Sequence, residues 1–209
     1  MIDTLTFYTH PRSRSAIVHW MLEEIGVPYR IEVKEFGTTM KSPDFLAINP
    51  MGKVPALRHG GTVVTESAAI CAYLADAFPL ADLAPPPQDR GEYYRWLFFA
   101  AACVEPAIMN RSAGWDPGTL ELWGRFGYGC YAQTVEVLAK AVANRRYIAG
   151  PTFSAADVYV GSMLGWAMQF DEIDKRPEFE AYWNGLKERP ARKRALAQIE
   201  RLAMERADA

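Results

Sequence analysis

Three short stretches of the chain combine residue types and spacings that can do chemistry. The first is Asn49-Pro50-Met51-Gly52-Lys53-Val54-Pro55-Ala56-Leu57. Gly52 permits a tight turn, and Val54-Pro55 opens a β-like run. An X-Pro bond at such a point takes the cis form at an extra cost of only about 0.5–1 kcal/mol. In that form the Val54 N–H and C=O turn away from a sheet ladder and can pair with an extended peptide. In the trans form Pro55 is an ordinary strand start. The second stretch is Thr65-Glu66-Ser67, directly before an apolar-periodic segment. A helix N-terminus carries free N–H groups and partial positive charge, which suit a carboxylate. The Ser67 hydroxyl and N–H can hold that carboxylate while Glu66 holds an ammonium, a pairing that recognises an amino-acid head group. The same residues also fit a plain helix cap. The third stretch, Phe153-Ser154-Ala155-Ala156-Asp157-Val158, has Ser154 and Asp157 at capping-box spacing and Phe153 and Val158 at hydrophobic-staple positions. This one is structural: it nucleates a core helix and touches no substrate.

The elements that must position these residues change character near residue 80. Before it, β-like runs alternate with helical patterns. Leu5 to Tyr8 predicts a strand, and Ser13 to Ile25 a helix with Ile17, Trp20, Met21 and Ile25 on one face. Gly26 and Pro28 stop that helix. Tyr29 to Val33 predicts a second strand, and two more flank the turn His59-Gly60-Gly61. A further helix opens near Ser67, with Cys71, Leu74 and Phe78 at helical spacing. Pro85-Pro86-Pro87 is too stiff for a helix interior and marks a linker. Everything after it has helical period, broken by Pro106, Pro117, Gly150-Pro151, Pro177 and Pro190. The expected organisation is α/β plus all-α: a small β-α-β, β-β-α domain over residues 1–79, a linker over 80–88, and an all-helical domain over 89–209.

Composition narrows the function classes. Lys plus Arg is 23 and Asp plus Glu is 25, a net charge of −2, which gives no electrostatic reason to expect nucleic acid or an anionic membrane as partner. The basic cluster Arg189 to Arg194 is short and fits a solvated helix end. No run is apolar over the ~18 residues of a membrane span, and the start of the chain lacks the basic and apolar grammar of a signal peptide. Cys71, Cys103 and Cys130 are widely spaced and odd in number. They suit small core positions in a reducing cytoplasm, with no disulfide framework and no metal site.

In this order, and in these two halves, the three stretches resemble the cytosolic glutathione transferase superfamily, over nearly the whole chain. The segments Phe7-Tyr-Thr-His-Pro-Arg-Ser-Arg-Ser15 and Trp20-Met-Leu-Glu-Glu-Ile-Gly-Val-Pro-Tyr29 look like its bacterial and fungal group. The resemblance implies a thioredoxin-like first domain that binds glutathione as cosubstrate, and a helical second domain that supplies most of an apolar electrophile site. It implies that Val54 pairs with the cysteinyl backbone of glutathione ahead of a cis Pro55. It further implies that Glu66 and Ser67 hold the γ-glutamyl end and that Lys53 lies beside the peptide. A homodimer belongs to the same expectation.

The family activates its thiol between the first strand and the first helix. This chain has no cysteine there, which argues against cysteine-type members and against a glutaredoxin activity. The hydroxyls available are Tyr8, Thr9, Ser13 and Ser15. Ser13 precedes the helix, where a hydroxyl can donate to a sulfur. Tyr8 sits level with the tyrosine of tyrosine-type members, and it equally fits a buried strand-end aromatic. Arg12 and Arg14 can add positive potential. A free thiol has a pKa near ~8.5, so a hydrogen bond to sulfur beside a helix N-terminus supplies the thiolate, and proximity does much of the rest. Tyr93, Met109 and Trp115 are candidate pocket residues that also fit a core. A glutathione-dependent peroxidase or isomerase, or a non-catalytic dimeric scaffold or ligand carrier, would use the same frame.

Overall fold

The computed structural model describes residues 4–207. It divides into two compact units. One holds the chain up to Asp82 together with the segment from Arg189 onward, and the other spans Leu83–Glu188.

The first unit is built on a four-stranded sheet in the order β2-β1-β3-β4, with β1 Leu5–Thr9, β2 Tyr29–Val33, β3 Ala56–His59 and β4 Thr62–Thr65. β1 and β2 run parallel, and the other two pairings are antiparallel. The parallel pair needs a crossover, and helix α1, Ser15–Ile25, provides it. Side chains alternate across a strand, so Leu5, Phe7 and Thr9 share one face. On it the Phe7 ring meets His19 of α1 edge-on at 4.7 Å. Tyr8 points to the other face, into a cluster with Met40, Phe45 and Ala56. Phe45 lies on α2, Pro43–Leu46, a short helix whose Ser42 cap accepts the Phe45 N–H. Helix α3, Ser67–Ala77, follows β4 directly and buries Ile70, Cys71 and Leu74. This is the expected thioredoxin-like arrangement. The short helical turns over residues 39–46 were not foreseen, because four-residue helices leave too little periodicity to detect.

The second unit is helical. It runs through α4 Gly91–Phe99, α5 Glu105–Ser112, α6 Leu120–Trp123, α7 Tyr131–Val142, α8 Ala155–Gln169 and α9 Pro177–Leu186. Between α4 and α5, residues Ala100–Val104 form a π-helical turn. Pro106 explains it. Proline has no N–H to return to the preceding turn, so the ladder widens there and the helix continues. α8 carries Gly161 and Gly165 where it faces α9. A Cβ on Gly165 would stand 2.5 Å from the Trp183 ring and one on Gly161 2.8 Å from Leu186, so both positions must stay bare for the helices to approach.

The last helix, α10 Pro190–Ala207, differs from the expectation of one helical domain over 89–209, because it belongs to the first unit. The reason is electrostatic as well as apolar. The Arg189 guanidinium makes two hydrogen bonds to Glu24 at 2.7 and 2.9 Å, and Arg194 Nε reaches Glu23 at 2.8 Å. The basic cluster read as a solvated helix end is therefore in part a set of ion pairs onto α1. Of the three cysteines, Cys71 and Cys130 are core residues, whereas Cys103 on the π-helical turn is only half-buried. Among the described residues no helix is long and apolar enough to cross a membrane.

Candidate functional site

Strand register brings the singled-out residues to one end of the sheet. Ala56 pairs with Tyr8 on one side and with Thr65 on the other. The end of β1, the start of β3 and the end of β4 are therefore neighbours. The loop His10–Arg14, the turn before Pro55 and the Glu66-Ser67 pair all leave the sheet at that edge.

The turn is fixed from inside. Asn49 is buried; its Oδ1 accepts the Met51 N–H at 3.1 Å and its Nδ2 donates to the Lys53 carbonyl at 2.8 Å. Gly52 has φ +57, and a Cβ there would lie 2.6 Å from the Met40 carbonyl, so only glycine fits. The chain then enters Val54-Pro55 through a cis peptide bond. The β3 ladder begins at Ala56, which leaves the Val54 peptide outside it. Pro55 is buried and Val54 half-buried, while Lys53 is exposed.

Glu66 takes φ 67 and ψ 121, a backbone conformation that a side chain with a Cβ rarely adopts. It stands at the N-cap of α3, yet its side chain makes no cap hydrogen bond, and it is exposed beside half-buried Ser67. Strain of this kind costs on the order of 1–3 kcal/mol and concentrates at ligand clamps. Glu66 therefore does not cap α3 through its side chain.

The four hydroxyls separate. Tyr8 is 4% exposed and lies on the sheet face away from α1, with its ring tilted on Phe45 at 5.6 Å and Lys34 Nζ 5.4 Å from the ring centre. Burial pushes its phenol up, Arg58 opposing. Thr9 is buried with its Oγ1 at 3.3 Å from His19 Nε2. Ser13 is half-buried at the mouth of the loop, two residues ahead of α1. Its Oγ lies 2.7 Å from the His10 carbonyl and 2.8 Å from Ser15 Oγ, and it accepts the Ser15 N–H at 3.2 Å. Ser15 is fully buried. Arg12 and Arg14 are exposed on either side of Ser13. Asn49 and His10 are the residues that sequence reasoning passed over. Asn49 could have been found from the Asn-Pro-x-Gly turn, where an Asn side chain bonds its own backbone two residues on. His10 carried no local signal.

In the second unit a cavity of about 310 Å³ opens between Phe99, Cys103, Trp123, Phe126, Tyr128 and Gln133, and the buried Trp123 indole N–H has no partner. Of the expected pocket residues, Tyr93 is fully buried and belongs to the core; Met109 is half-buried and Trp115 exposed. Ser154 and Asp157 form the expected capping box, buried and far from solvent. Among the described residues no three His, Cys, Asp or Glu side chains gather where they could hold a metal ion.

Known proteins share this arrangement. Residues 13–77 match the model of the glutathione S-transferase N-terminal domain. The chain is 31% identical to a glutathione S-transferase of Xanthomonas campestris, over 78% of this chain and 82% of that one. A solved glutathione transferase from Methylococcus capsulatus superposes with a TM-score of 0.76 at 30% identity, covering 94% of this chain and 99% of that one. A sphingomonad glutathione S-transferase solved with glutathione gives 0.75 at 30% identity, over 93% and 98% of the two chains.

Proposed function

Because this chain belongs to the glutathione S-transferase family, we propose that the sheet edge bearing Val54, Glu66 and Ser67 is its glutathione site and that Ser13 donates the hydrogen bond that keeps the bound sulfur a thiolate. The enzyme is a glutathione transferase. The observation that carries the site assignment is Glu66, held at positive φ with its side chain withheld from the helix it precedes. In this reading the first N–H groups of α3 and the Ser67 hydroxyl take the γ-glutamyl carboxylate, and Glu66 takes the ammonium. The Val54 peptide pairs with the cysteinyl backbone ahead of Pro55, and Lys53 lies beside the tripeptide. Glutathione is a cosubstrate and no metal takes part.

Ser13 is favoured over Tyr8 because its hydroxyl stands ahead of α1, where the helix dipole also lowers the cost of a thiolate. Tyr8, by contrast, is packed against Phe45 and Met40. The second substrate is a small apolar electrophile, and the aromatic cavity of the second unit can hold one; a pocket of a few hundred Å³ suits such a molecule. The three free cysteines agree with a cytoplasmic location. The homodimer and a role in detoxification are part of the same reading, supported by membership of the family.

The experiment is a pH titration of the thiolate absorbance of bound glutathione in Ser13→Ala and in Tyr8→Phe, with affinity followed by calorimetry. Loss of the donor raises the thiol pKa by about one unit, corresponding to about 1.4 kcal/mol, with affinity less affected. A rise only in Tyr8→Phe gives the role to Tyr8. A rise in neither points to Ser15, an arginine or backbone N–H groups. A panel of electrophiles and peroxides then separates transfer from peroxidase, isomerase or carrier roles.

A further inference from the structure

The loop that carries Ser13 is held by His10, which makes contacts through both its ring and its carbonyl. His10 directly follows β1 and is 7% exposed. Its Nδ1 accepts the Arg12 N–H at 3.1 Å. That bond fixes the tautomer: Nδ1 is the unprotonated nitrogen, and Nε2 carries the hydrogen. Nε2 lies 3.4 Å from Glu35 Oε2, and the imidazole packs on the Phe36 ring at 4.2 Å. The other oxygen of Glu35 is paired with the Arg206 guanidinium near the end of α10. The His10 carbonyl, at the same time, is a partner of Ser13 Oγ at 2.7 Å. His10 thus closes the turn twice, once through its ring and once through its backbone, and Glu35 and Arg206 fix the ring.

We propose that His10 is a positioning residue for the thiol-activating hydroxyl, and that Arg206 of the last helix sets it through Glu35. The proposal rests on Ser13 being the donor. Ser13 has a single proton. The His10 carbonyl and Ser15 Oγ both lie within reach of it as acceptors, so the proton can rest on either or turn to an incoming sulfur, and the position of the His10 carbonyl decides how far the hydroxyl must swing. An imidazole that could not accept from Arg12 would release the turn and leave Ser13 without a fixed direction. None of the side-chain bonds named here is made to Glu66 or Val54, so their loss is expected to affect thiol activation more than glutathione affinity.

The test compares His10→Phe, His10→Asn, Glu35→Ala and Ser13→Ala in the full-length enzyme. His10→Phe keeps a ring against Phe36 but removes the acceptor. It is expected to lower kcat about five- to tenfold and raise the bound thiol pKa by about 0.5–1 unit, with the KM for glutathione within about twofold. His10→Asn, whose Oδ1 can accept the Arg12 N–H, is expected to restore most of both. Glu35→Ala removes a half-exposed carboxylate and should fold in any case; a loss of about threefold in kcat with the same sign of pKa shift is expected. In Ser13→Ala a second change at His10 should add nothing, since residues acting through one another are not additive. An unchanged thiol pKa in both His10→Phe and Glu35→Ala, while Ser13→Ala raises it, overturns the proposal and leaves Ser13 in place. Additive losses in the double variant overturn it too, showing that His10 acts apart from Ser13. An unchanged pKa in Ser13→Ala overturns the underlying assignment of the donor, and the proposal with it.

Discussion

Two helix starts in this protein look alike in sequence and do opposite things. α3 begins after Thr65-Glu66-Ser67, and α8 begins at Ser154-Ala-Ala-Asp157; each offers a carboxylate and a hydroxyl to a helix N-terminus. At α8 every group is spent internally. Asp157 accepts the Ser154 N–H at 2.9 Å, the Ser154 hydroxyl at 3.2 Å, the Ile148 N–H at 2.8 Å and the Tyr182 hydroxyl at 2.7 Å, and it is wholly buried. Burial pushes its carboxyl up, and those four donors pull the other way. At α3 the carboxylate is exposed, the backbone is held at φ 67, and the side chain caps nothing. A helix N-terminus saturated from within is a fold device. One left open, at a cost in backbone strain, is what the proposed glutathione site draws on.

The largest effect should come from breaking the saturated start. Asp157→Ala leaves the Ile148 and Ser154 N–H groups and the Tyr182 hydroxyl buried without an acceptor. It is expected to lower stability by about 3–5 kcal/mol, more than an ordinary cap, because several donors are orphaned together. Urea unfolding monitored by tryptophan fluorescence measures it. Intact stability with glutathione binding abolished would reverse the assignments of the two helix starts.

The first unit also buries an ionisable group, and it does so with the opposite consequence for acid. His19 on α1 is wholly buried, and burial pushes its imidazole down to about 4, against Gln198 and Glu23, which pull it up. A folded pKa below the unfolded value near ~6.5 means that the fold holds the neutral ring. Its contribution is complete above pH ~6.5 and is lost as the pH falls toward 4, roughly 3 kcal/mol across that interval. His19→Gln should flatten this part of the stability profile between pH 7 and pH 4.5; an unaltered slope would remove His19 as its source.

At the open start the effect moves from stability to binding. The double change Glu66→Ala, Ser67→Ala should weaken glutathione binding by at least ~2 kcal/mol, about thirtyfold in Kd, because charge-assisted bonds to both ends of an amino-acid head group are lost. The melting temperature should barely move. Unchanged affinity by calorimetry would sink the site assignment.

The smallest and most diagnostic change is Glu66→Gly. Glycine adopts φ 67 freely, so relieving the strain should stabilise the fold by about 0.5–1 kcal/mol while glutathione affinity falls. A stabilised protein that bound glutathione as before would show that the strain serves something other than the ligand.

Periodicity and punctuation made most of the fold legible. The β-α-β, β-β-α order, the Gly26 stop of α1 and the Ser154–Asp157 box are local features, set within a few residues of one another, and the chain forms them as expected. The motifs on which the proposed site rests are local in the same way. A tight turn into Val54-Pro55 and an acidic-hydroxyl pair before a helix are short motifs whose chemistry depends on backbone geometry nearby. What the sequence by itself could not determine were pairings between distant segments. The grouping of α10 with the first unit depends on Arg189 and Arg194 meeting Glu24 and Glu23, more than 160 residues away. The sheet face that Tyr8 occupies, packed with Met40, Phe45 and Ala56, likewise depends on strand register and distant segments, and the proposal of Ser13 over Tyr8 draws on it. Local propensity acts through neighbours in the chain and is written there. Long-range contact depends on the closure of the whole fold, and only the tertiary structure decides which charges, rings and carbonyls then lie within reach of one another.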